Sequence, residues 1–256
     1  MIKILTSPLE QFQIVPVLPI YVLNFNFSVT NSTLVLLLGI CSFFLFLQSI
    51  MQKHSFLFFV PRRWQNLVEF FFQMIATLLI KDIVGPHGQK FFPYVLSIFL
   101  FILVCNLIGL IPYSFTATSH LIFTFSLAFL IFFGINFVSL RKHGILFFSL
   151  FLPSGSSLGL AFILVPIELL SYFVRPVSLS VRLFANMMAG HTLLKVVAGF
   201  AWNMMSFGKS FLFVAHFIPL SILVVVMVLE FGVAIIQAYV FTILICIYLN
   251  DGLHLH

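Results

Sequence analysis

Charged side chains are scarce in this chain. Of its 256 residues, only 7% are Asp, Glu, Lys or Arg, whereas 62% are hydrophobic. A soluble globular domain carries about 25% charged residues. The shortage excludes a soluble enzyme or binding domain and predicts one integral membrane domain over residues 1–256. The formal charge of +6 is small for this length. It indicates basic loops that orient the chain in a bilayer, and we expect no nucleic-acid partner.

Cysteine is also rare, and no leader sequence is evident. Cys41, Cys105 and Cys246 lie far apart in apolar segments, so no disulfide or metal-ligand spacing is present. We therefore expect no metal site and no cofactor. The N-terminus has one early lysine, with Pro8 and Glu10 soon after it. This pattern matches neither a secretory signal nor an Arg-rich transit peptide. We expect insertion in the compartment where the chain is made.

Long apolar runs are the dominant feature of the sequence. A membrane-spanning helix needs about 20 apolar residues. The pattern predicts an all-α membrane protein with about five membrane-embedded helices, the fourth interrupted by Pro166 and Pro176. The predicted helices cover residues 33–51, 91–111, 120–140, 157–204 and 210–249.

The segment 62–83 differs from these runs because its polar residues recur every three or four positions. Apolar residues such as Trp64, Phe71 and Ile75 occupy the other face. This spacing predicts an amphipathic helix on the membrane surface.

The last two apolar segments are too long for upright spans. About 40 residues make roughly 60 Å of helix, against a hydrocarbon core of roughly 30 Å. Such helices must tilt by about 60° to remain in the bilayer, far beyond the usual 20°. We expect a strongly tilted helix hairpin with a broad side for a membrane neighbour.

Basic residues predict the orientation of the chain. They flank the first three spans and fall on one side, opposite the N-terminus, if the amphipathic helix lies on the surface. The positive-inside rule then places the N-terminus outside and the C-terminus inside. The residues concerned are Lys53, Arg62, Arg63, Lys81, Lys90, Arg141 and Lys142.

Ionisable side chains inside apolar segments are costly, so each is a candidate functional group. Arg182 stands out because a guanidinium cannot lose its proton, and no acidic residue lies near it in sequence. Arg175, beside Pro176, has the alternative of a structural role at a kink, and Lys195 that of snorkelling to the interface. The other candidates are Glu168, Asn186, His191, Glu230, Gln237 and Asp251.

Helical spacing relates the candidates of the fourth segment. Asn186 lies one turn from Arg182 on the same face, and His191 lies on the opposite face about 13 Å along the axis. Glu168 shares nearly the face of Arg182 if the helix continues through Pro176.

The last segment carries a stripe of residues seven positions apart. Packed against the fourth segment, this stripe places Gln237 near Arg182 and Glu230 near His191. Both pairings are hypotheses from spacing alone. The stripe consists of Glu230, Gln237, Leu244 and Asp251.

These motifs resemble a known family. "PVSLSVRLFANMMAGH" at 176–191, followed by "LEFGVAIIQAYVFTILICIYL" at 229–249, resembles subunit a of the F-type ATP synthase. The resemblance extends to "NLIGLIPYSFTATSH" at 106–120 and "TSPLEQFQI" at 6–14, and so covers essentially the whole chain.

The resemblance implies a stator beside a rotating ring of c subunits that carry carboxylates at mid-membrane. Arg182 would separate two offset proton half-channels and attract each ring carboxylate in turn. The half-channel on the intermembrane-space side would use His191 and Glu230, with Asn186 near its inner end, and the one on the matrix side Glu168 and Asp251. Gln237 would also belong to the proton pathway. The chemistry of ATP would lie in other subunits.

The resemblance also implies partners and a location. The partners are the c ring, the peripheral-stalk subunit b, other small membrane-sector subunits and the lipid bilayer, within ATP synthase dimers. The chain would be a multi-pass protein of the mitochondrial inner membrane. Its N-terminus would face the intermembrane space and its C-terminus the matrix.

Two other classes of protein remain open on the residues alone. A secondary transporter needs an internal repeat and broken helices around a substrate pocket, and neither is visible. A membrane scaffold would use the amphipathic helix and the long packing faces but leaves Arg182 without a reason. Within either class, Arg182 would be satisfied by backbone carbonyls and Gln237, and His191 with Glu230 would form a structural ion pair.

Overall fold

The computed structural model describes residues 12–22, 25–52, 63–77, 85–111, 114–151, 158–206 and 216–253. Most of these residues are helical, which confirms the predicted all-α class. The α-helices are α1 (Asn31–Gln52), α2 (Arg63–Thr77), α3 (Phe92–Gly109), α4 (Leu121–His143), α5 (Leu158–Ser206) and α6 (Phe217–Leu253).

Apolar helices long enough to cross a membrane confirm a multi-pass membrane protein. Over the described residues they cover Gly88–Gly109, Leu121–Phe147, Phe162–Ser206 and Phe217–Leu253. The first predicted span forms α1, which is apolar over Asn31–Leu45.

Helix α5 corrects one prediction. It runs without interruption for 49 residues and contains both Pro166 and Pro176. Proline removes a backbone donor and costs about 3 kcal/mol inside a helix in water. In hydrocarbon, however, any other backbone path leaves more polar groups unpaired, at several kcal/mol each, so the helix continues.

The lengths of α5 and α6 agree with strong tilt. At about 1.5 Å per residue, 49 and 37 residues follow paths of about 74 Å and about 56 Å. Both exceed the hydrocarbon core of roughly 30 Å.

Helix α2 lies within the predicted amphipathic segment 62–83. Its Gln65 Nε2 donates a hydrogen bond of 3.0 Å to Glu69 Oε1 on the polar face. Residues 62 and 78–83 of the prediction lie outside the described residues.

Two small antiparallel strand pairs precede α1, and they were not predicted. Strand β1 (Pro16–Leu18) pairs with β4 (Val29–Thr30), and β2 (Tyr21–Val22) pairs with β3 (Phe25–Asn26). Strands of two or three residues are too short for an alternating pattern to register in sequence. The Asn31 side chain joins them to α1, because its Nδ2 donates to Gln13 O at 3.1 Å and its Oδ1 accepts from Ser32 N at 2.9 Å.

The chain divides into two compact units. Unit 1 comprises Met1–Phe44, Ile102–His120 and Leu183–Gln237, and unit 2 comprises Leu45–Phe101, Leu121–Arg182 and Ala238–His256. In unit 1 the end of α3 packs with the second half of α5 and the first part of α6. Its buried residues include Ile102, Asn106, Leu183, Met187 and Ala234.

Unit 2 buries α2 against the start of α3. The Phe71 and Phe99 ring centroids lie 5.8 Å apart, and those of Phe72 and Phe92 4.6 Å apart. These contacts join α2 to a helix that is long and apolar enough to cross a membrane. Helix α4 forms another part of the unit 2 core, together with the end of α6. The buried residues there include Ala128, Ile131, Ile135, Phe241, Ile245 and Leu249.

The end of α6 is held by side chains of α4. Ser139 Oγ donates to Gly252 O at 2.8 Å, and Lys142 Nζ donates to Leu253 O at 2.9 Å. The last carbonyls of a helix have no intrahelical partner, and cations are favourable beside them. Helix α4 itself ends before Gly144, whose φ of 57° is the left-handed conformation that favours glycine.

Candidate functional site

His191 of α5 and Glu230 of α6 meet in the interior of unit 1. The His191 Nε2 and Glu230 Oε1 atoms lie 3.6 Å apart, and their side chains are 13% and 5% exposed. Within the described residues, neither oxygen of Glu230 accepts a hydrogen bond. A buried acid is costly when its hydrogen bonds are incomplete. This pair is therefore a strong functional candidate, and its existence agrees with the pairing expected from spacing.

Gly190 makes the approach of Glu230 possible. A Cβ at this position would lie 2.6 Å from Glu230 Oε1 and 2.9 Å from Glu230 Cδ. Both distances are shorter than van der Waals contact, so any side chain at position 190 would displace the carboxyl group. The carboxyl thus packs directly against the backbone of α5.

A second polar contact lies farther along the same two helices. Asn186 Nδ2 donates to Gln237 Oε1 at 3.0 Å. Nearby in sequence, Ala234 O accepts a hydrogen bond of 3.2 Å from Asn106 Nδ2 of α3. Gln237 and Asn106 are 4% and 0% exposed. Unit 1 thus holds a buried row of polar groups from His191 to Gln237.

A cavity of about 720 Å³ opens beside this row. We call it the unit 1 cavity, because all the residues that line it belong to unit 1. Helices α1, α3, α5 and α6 and the segment after α3 contribute to its wall. Its polar lining residues are Asn31, Ser114, Thr116, His191 and Lys195. The cavity has room for several waters, each of about 30 Å³, and His191 is on its wall.

Unit 2 contains a separate charged cluster. Arg175 Nη1 donates to Asp251 Oδ2 at 3.1 Å. The Arg175 guanidinium lies 5.6 Å from the ring centroids of both Tyr172 and Tyr248, a cation–π distance. Tyr172 in turn donates a hydrogen bond to Asn136 Oδ1. Arg175 therefore has a specific acidic partner.

The two remaining candidates, Glu168 and Arg182, form no ion pair among the described residues. Glu168 is half-buried and Arg182 is exposed, and both belong to unit 2. Among the described residues the two acid–base contacts are Arg175 with Asp251 and His191 with Glu230, so no carboxylate pairs with Arg182. The expected proximity of Arg182 to Gln237 stays a prediction. Because α5 is continuous, Glu168 does share nearly the helical face of Arg182.

Two of these residues, Asn106 and Gly190, and one pairing were not predicted from the sequence. The signal for Asn106 was a single amide inside the apolar run of α3, and the signal for Gly190 was a glycine directly before His191 in a helix. The pairing of Arg175 with Asp251 had no signal in spacing, because 76 residues separate them.

Comparison with known proteins decides the family. The profile of the family described as ATP synthase A chain matches residues 30–250. The chain belongs to this family. Its similarity to individual relatives extends over nearly the whole chain. It is 52% identical over 253 residues to ATP synthase subunit a-2 of Arabidopsis thaliana, covering 98% of this chain and 72% of that protein.

Two further relatives show similar coverage. The chain is 52% identical to ATP synthase subunit a of Brassica napus, covering 98% of this chain and 97% of that protein. It is 44% identical to ATP synthase subunit a of Paramagnetospirillum magneticum, covering 98% of this chain and all of that protein. The family confirms the predicted resemblance. The chain is a membrane-sector component of ATP synthase and does not itself carry the ATP chemistry.

Proposed function

We propose that this chain is the stator that carries protons to a rotating c ring through two offset half-channels, with Arg182 between them. The observation that carries the proposal is the buried His191–Glu230 pair, whose His191 lines the unit 1 cavity. A buried acid beside an imidazole is suited to relay protons, since a carboxyl group and an imidazole can each accept a proton and release it.

The outer half-channel would begin in the unit 1 cavity. Water in this cavity would bring protons to His191 and Glu230. The Asn186–Gln237 hydrogen bond, farther along the same helices, would mark the inner end of the path. Amides donate and accept hydrogen bonds without titrating, so they would orient water there without trapping a proton.

The inner half-channel would use Glu168 and Asp251. Because Asp251 is paired with Arg175 at 3.1 Å, its charge is held in a fixed place beside Tyr172 and Tyr248. Half-buried Glu168 has no such partner among the described residues. We therefore assign proton release to Glu168 and an electrostatic role to Asp251.

Arg182 would prevent direct passage between the two paths. Its guanidinium cannot accept a proton, and it is exposed and without an acidic partner among the described residues. A ring carboxylate arriving beside it would form the missing pair and stay ionised. Protons would then cross only by travelling round with the ring. Each charge crossing 100 mV supplies about 2.3 kcal/mol, so several can drive the synthesis of one ATP.

The location and partners follow from this role. The proposed partners are the c ring, subunit b and other small membrane-sector subunits, within ATP synthase dimers of the mitochondrial inner membrane. By the distribution of basic residues, the N-terminus would face the intermembrane space and the C-terminus the matrix.

Cysteine accessibility tests the outer half-channel. Ala198 lines the unit 1 cavity, whereas the next residue, Gly199, is exposed but does not line it. In a background with Cys41 replaced by serine, Ala198→Cys should react with a charged, water-soluble thiol reagent added on the N-terminal side. ATP-driven proton pumping by the complex should then fall at least about fivefold, because a charged adduct blocks the cavity.

Gly199→Cys is the matched control, since a thiol in lipid does not ionise and should not react. Equal inhibition of both variants, or of neither, would contradict a water-filled path through the unit 1 cavity.

Replacement of Gly190 tests the position of Glu230. Gly190→Ala should lower proton pumping about fivefold without loss of assembled complex, because the new methyl group displaces the carboxyl group and small misplacements are costly in catalysis. Gly199→Ala is the control on the same helix, since a Cβ there meets nothing within 4 Å. Unchanged pumping in Gly190→Ala would show that the observed position of Glu230 is not required.

A further inference from the structure

The unit 1 cavity has a feature that a proton path does not require. Its volume of about 720 Å³ falls within the range of about 300–1,000 Å³ typical of small-molecule sites. Such sites are mostly apolar, with a few polar groups that orient the ligand. Here Leu110, Phe115, Leu194, Leu223 and Met227 supply apolar wall.

Most polar groups of the wall are already engaged within the protein. Asn31 bonds to Gln13 and Ser32, Ser114 Oγ donates to Ile108 O at 2.6 Å, and Thr116 Oγ1 donates to Ser119 Oγ at 2.6 Å. These contacts leave little hydrogen-bonding capacity for a ligand on the side of α1 and α3.

Lys195 is different. It is exposed, it lines the cavity one helical turn from His191, and among the described residues no carboxylate pairs with it. A lysine side chain in a largely apolar cavity is complementary to a molecule with one anionic group and an apolar chain. A bilayer presents such molecules at high local concentration.

We propose that the unit 1 cavity binds an amphipathic anion, a carboxylate or phosphate on an acyl chain, with Lys195 as its counter-ion. The acyl chain lies against the apolar wall, and the anionic group lies at the ammonium. If the proposed function holds, an occupied cavity also hinders the movement of water to His191, so the bound anion slows proton access.

Photolabelling of the whole ATP synthase tests the binding. Complexes in phosphatidylcholine nanodiscs receive a palmitic-acid analogue with a mid-chain diazirine, and labelled peptides are identified by mass spectrometry. We expect label on the cavity-lining residues after α3 and in α6, such as Leu110, Phe115, Leu223 and Met227, displaced by unlabelled palmitate. The matching primary alcohol should label these residues at least about tenfold less, because it lacks the charge-assisted contact. Equal labelling by acid and alcohol would overturn the proposal without any variant.

Two substitutions test whether Lys195 is the counter-ion of the bound anion. Lys195→Gln should lower labelling by the acid at least about tenfold, and Lys195→Arg should retain it. Lys142→Gln is the matched control, since Lys142 is engaged with Leu253 O and does not line the cavity. Undiminished labelling in Lys195→Gln would overturn the role of Lys195. A lysophosphatidate probe with the same chain distinguishes a lipid phosphate from a free carboxylate as the preferred group.

The rate of ATP hydrolysis tests whether the bound anion also slows proton access. Nanodiscs hold no proton gradient, so the slowing of ATP hydrolysis by palmitate does not arise from uncoupling. We expect at least threefold slowing in the wild type and none in Lys195→Gln. Specific labelling without slowing would keep the binding site and overturn its link to proton access, whereas loss of labelling specificity would overturn the site itself.

Discussion

Replacing Arg182 with alanine is expected to reduce proton-driven ATP synthesis below about 1% of the wild-type rate. A fixed cation about 4 Å from a carboxylate favours its ionised form by roughly 4 kcal/mol at an effective dielectric of 20, which is about a thousandfold. Without this attraction, a ring carboxylate keeps its proton as it passes the stator. The proton then returns by the path it came from, or leaks across, and the ring is not driven. Synthesis by reconstituted complexes under an imposed proton gradient measures the effect.

Passive proton conduction distinguishes this role from a structural one. If Arg182 separates the half-channels, Arg182→Ala should assemble with the c ring and retain passive conduction through the membrane sector. If the arginine only stabilises the fold, the variant should lose assembly and conduction together. Arg141→Ala is the control, because Arg141 is an exposed arginine at the end of α4 and should retain full synthesis. Substantial synthesis in Arg182→Ala would refute the assignment.

Exchanging His191 and Glu230 is expected to have the second large effect on proton pumping. His191→Glu brings two carboxyl groups together in a site where the present atoms are 3.6 Å apart, and Glu230→His leaves two imidazoles there. A positioned acid or base contributes about 10²–10⁴-fold to a proton-transfer rate. Each single change removes one partner of the pair and should therefore lower proton pumping about a hundredfold or more. The double variant restores one acid and one imidazole and should pump at least about tenfold faster than either single variant.

The exchange also has a matched control. Gln65 and Glu69 form a hydrogen-bonded pair on the exposed face of α2, and exchanging them should leave pumping unchanged. Equal loss in all three variants of the His191–Glu230 pair would count against a relay. Recovery of pumping only in proportion to the amount of assembled complex would indicate a structural ion pair instead.

Several features of this protein were predictable from composition, because residues inside a bilayer must be largely apolar. The membrane helices followed from long apolar runs, and the excessive length of α5 and α6 followed from counting residues. Arg182, His191 and Glu230 were identified as candidates because an ionisable group in hydrocarbon is costly wherever it sits. The spacing of residues on two helical faces also sufficed to pair His191 with Glu230, once the two helices were assumed to pack together.

Other features depended on which helix faces meet, and no linear pattern contains this information. Arg175 and Asp251 are 76 residues apart and pair because unit 2 brings their helices together. The continuity of α5 through two prolines depends on the cost of unpaired backbone in hydrocarbon, which local proline rules do not include.

By itself, then, the sequence determined the class of the protein, its membrane helices and the set of costly polar residues, since each reflects a local cost of transfer into lipid. Only the tertiary structure decided how Glu230 is accommodated and that a cavity lies beside its partner His191. Gly190 admits the carboxyl group because the Glu230 side chain reaches the backbone of α5 at a position that has no Cβ. The unit 1 cavity exists because elements distant in sequence surround it without filling it. The shape of such a cavity depends on contacts between helices that are distant in sequence, so no local pattern predicts it.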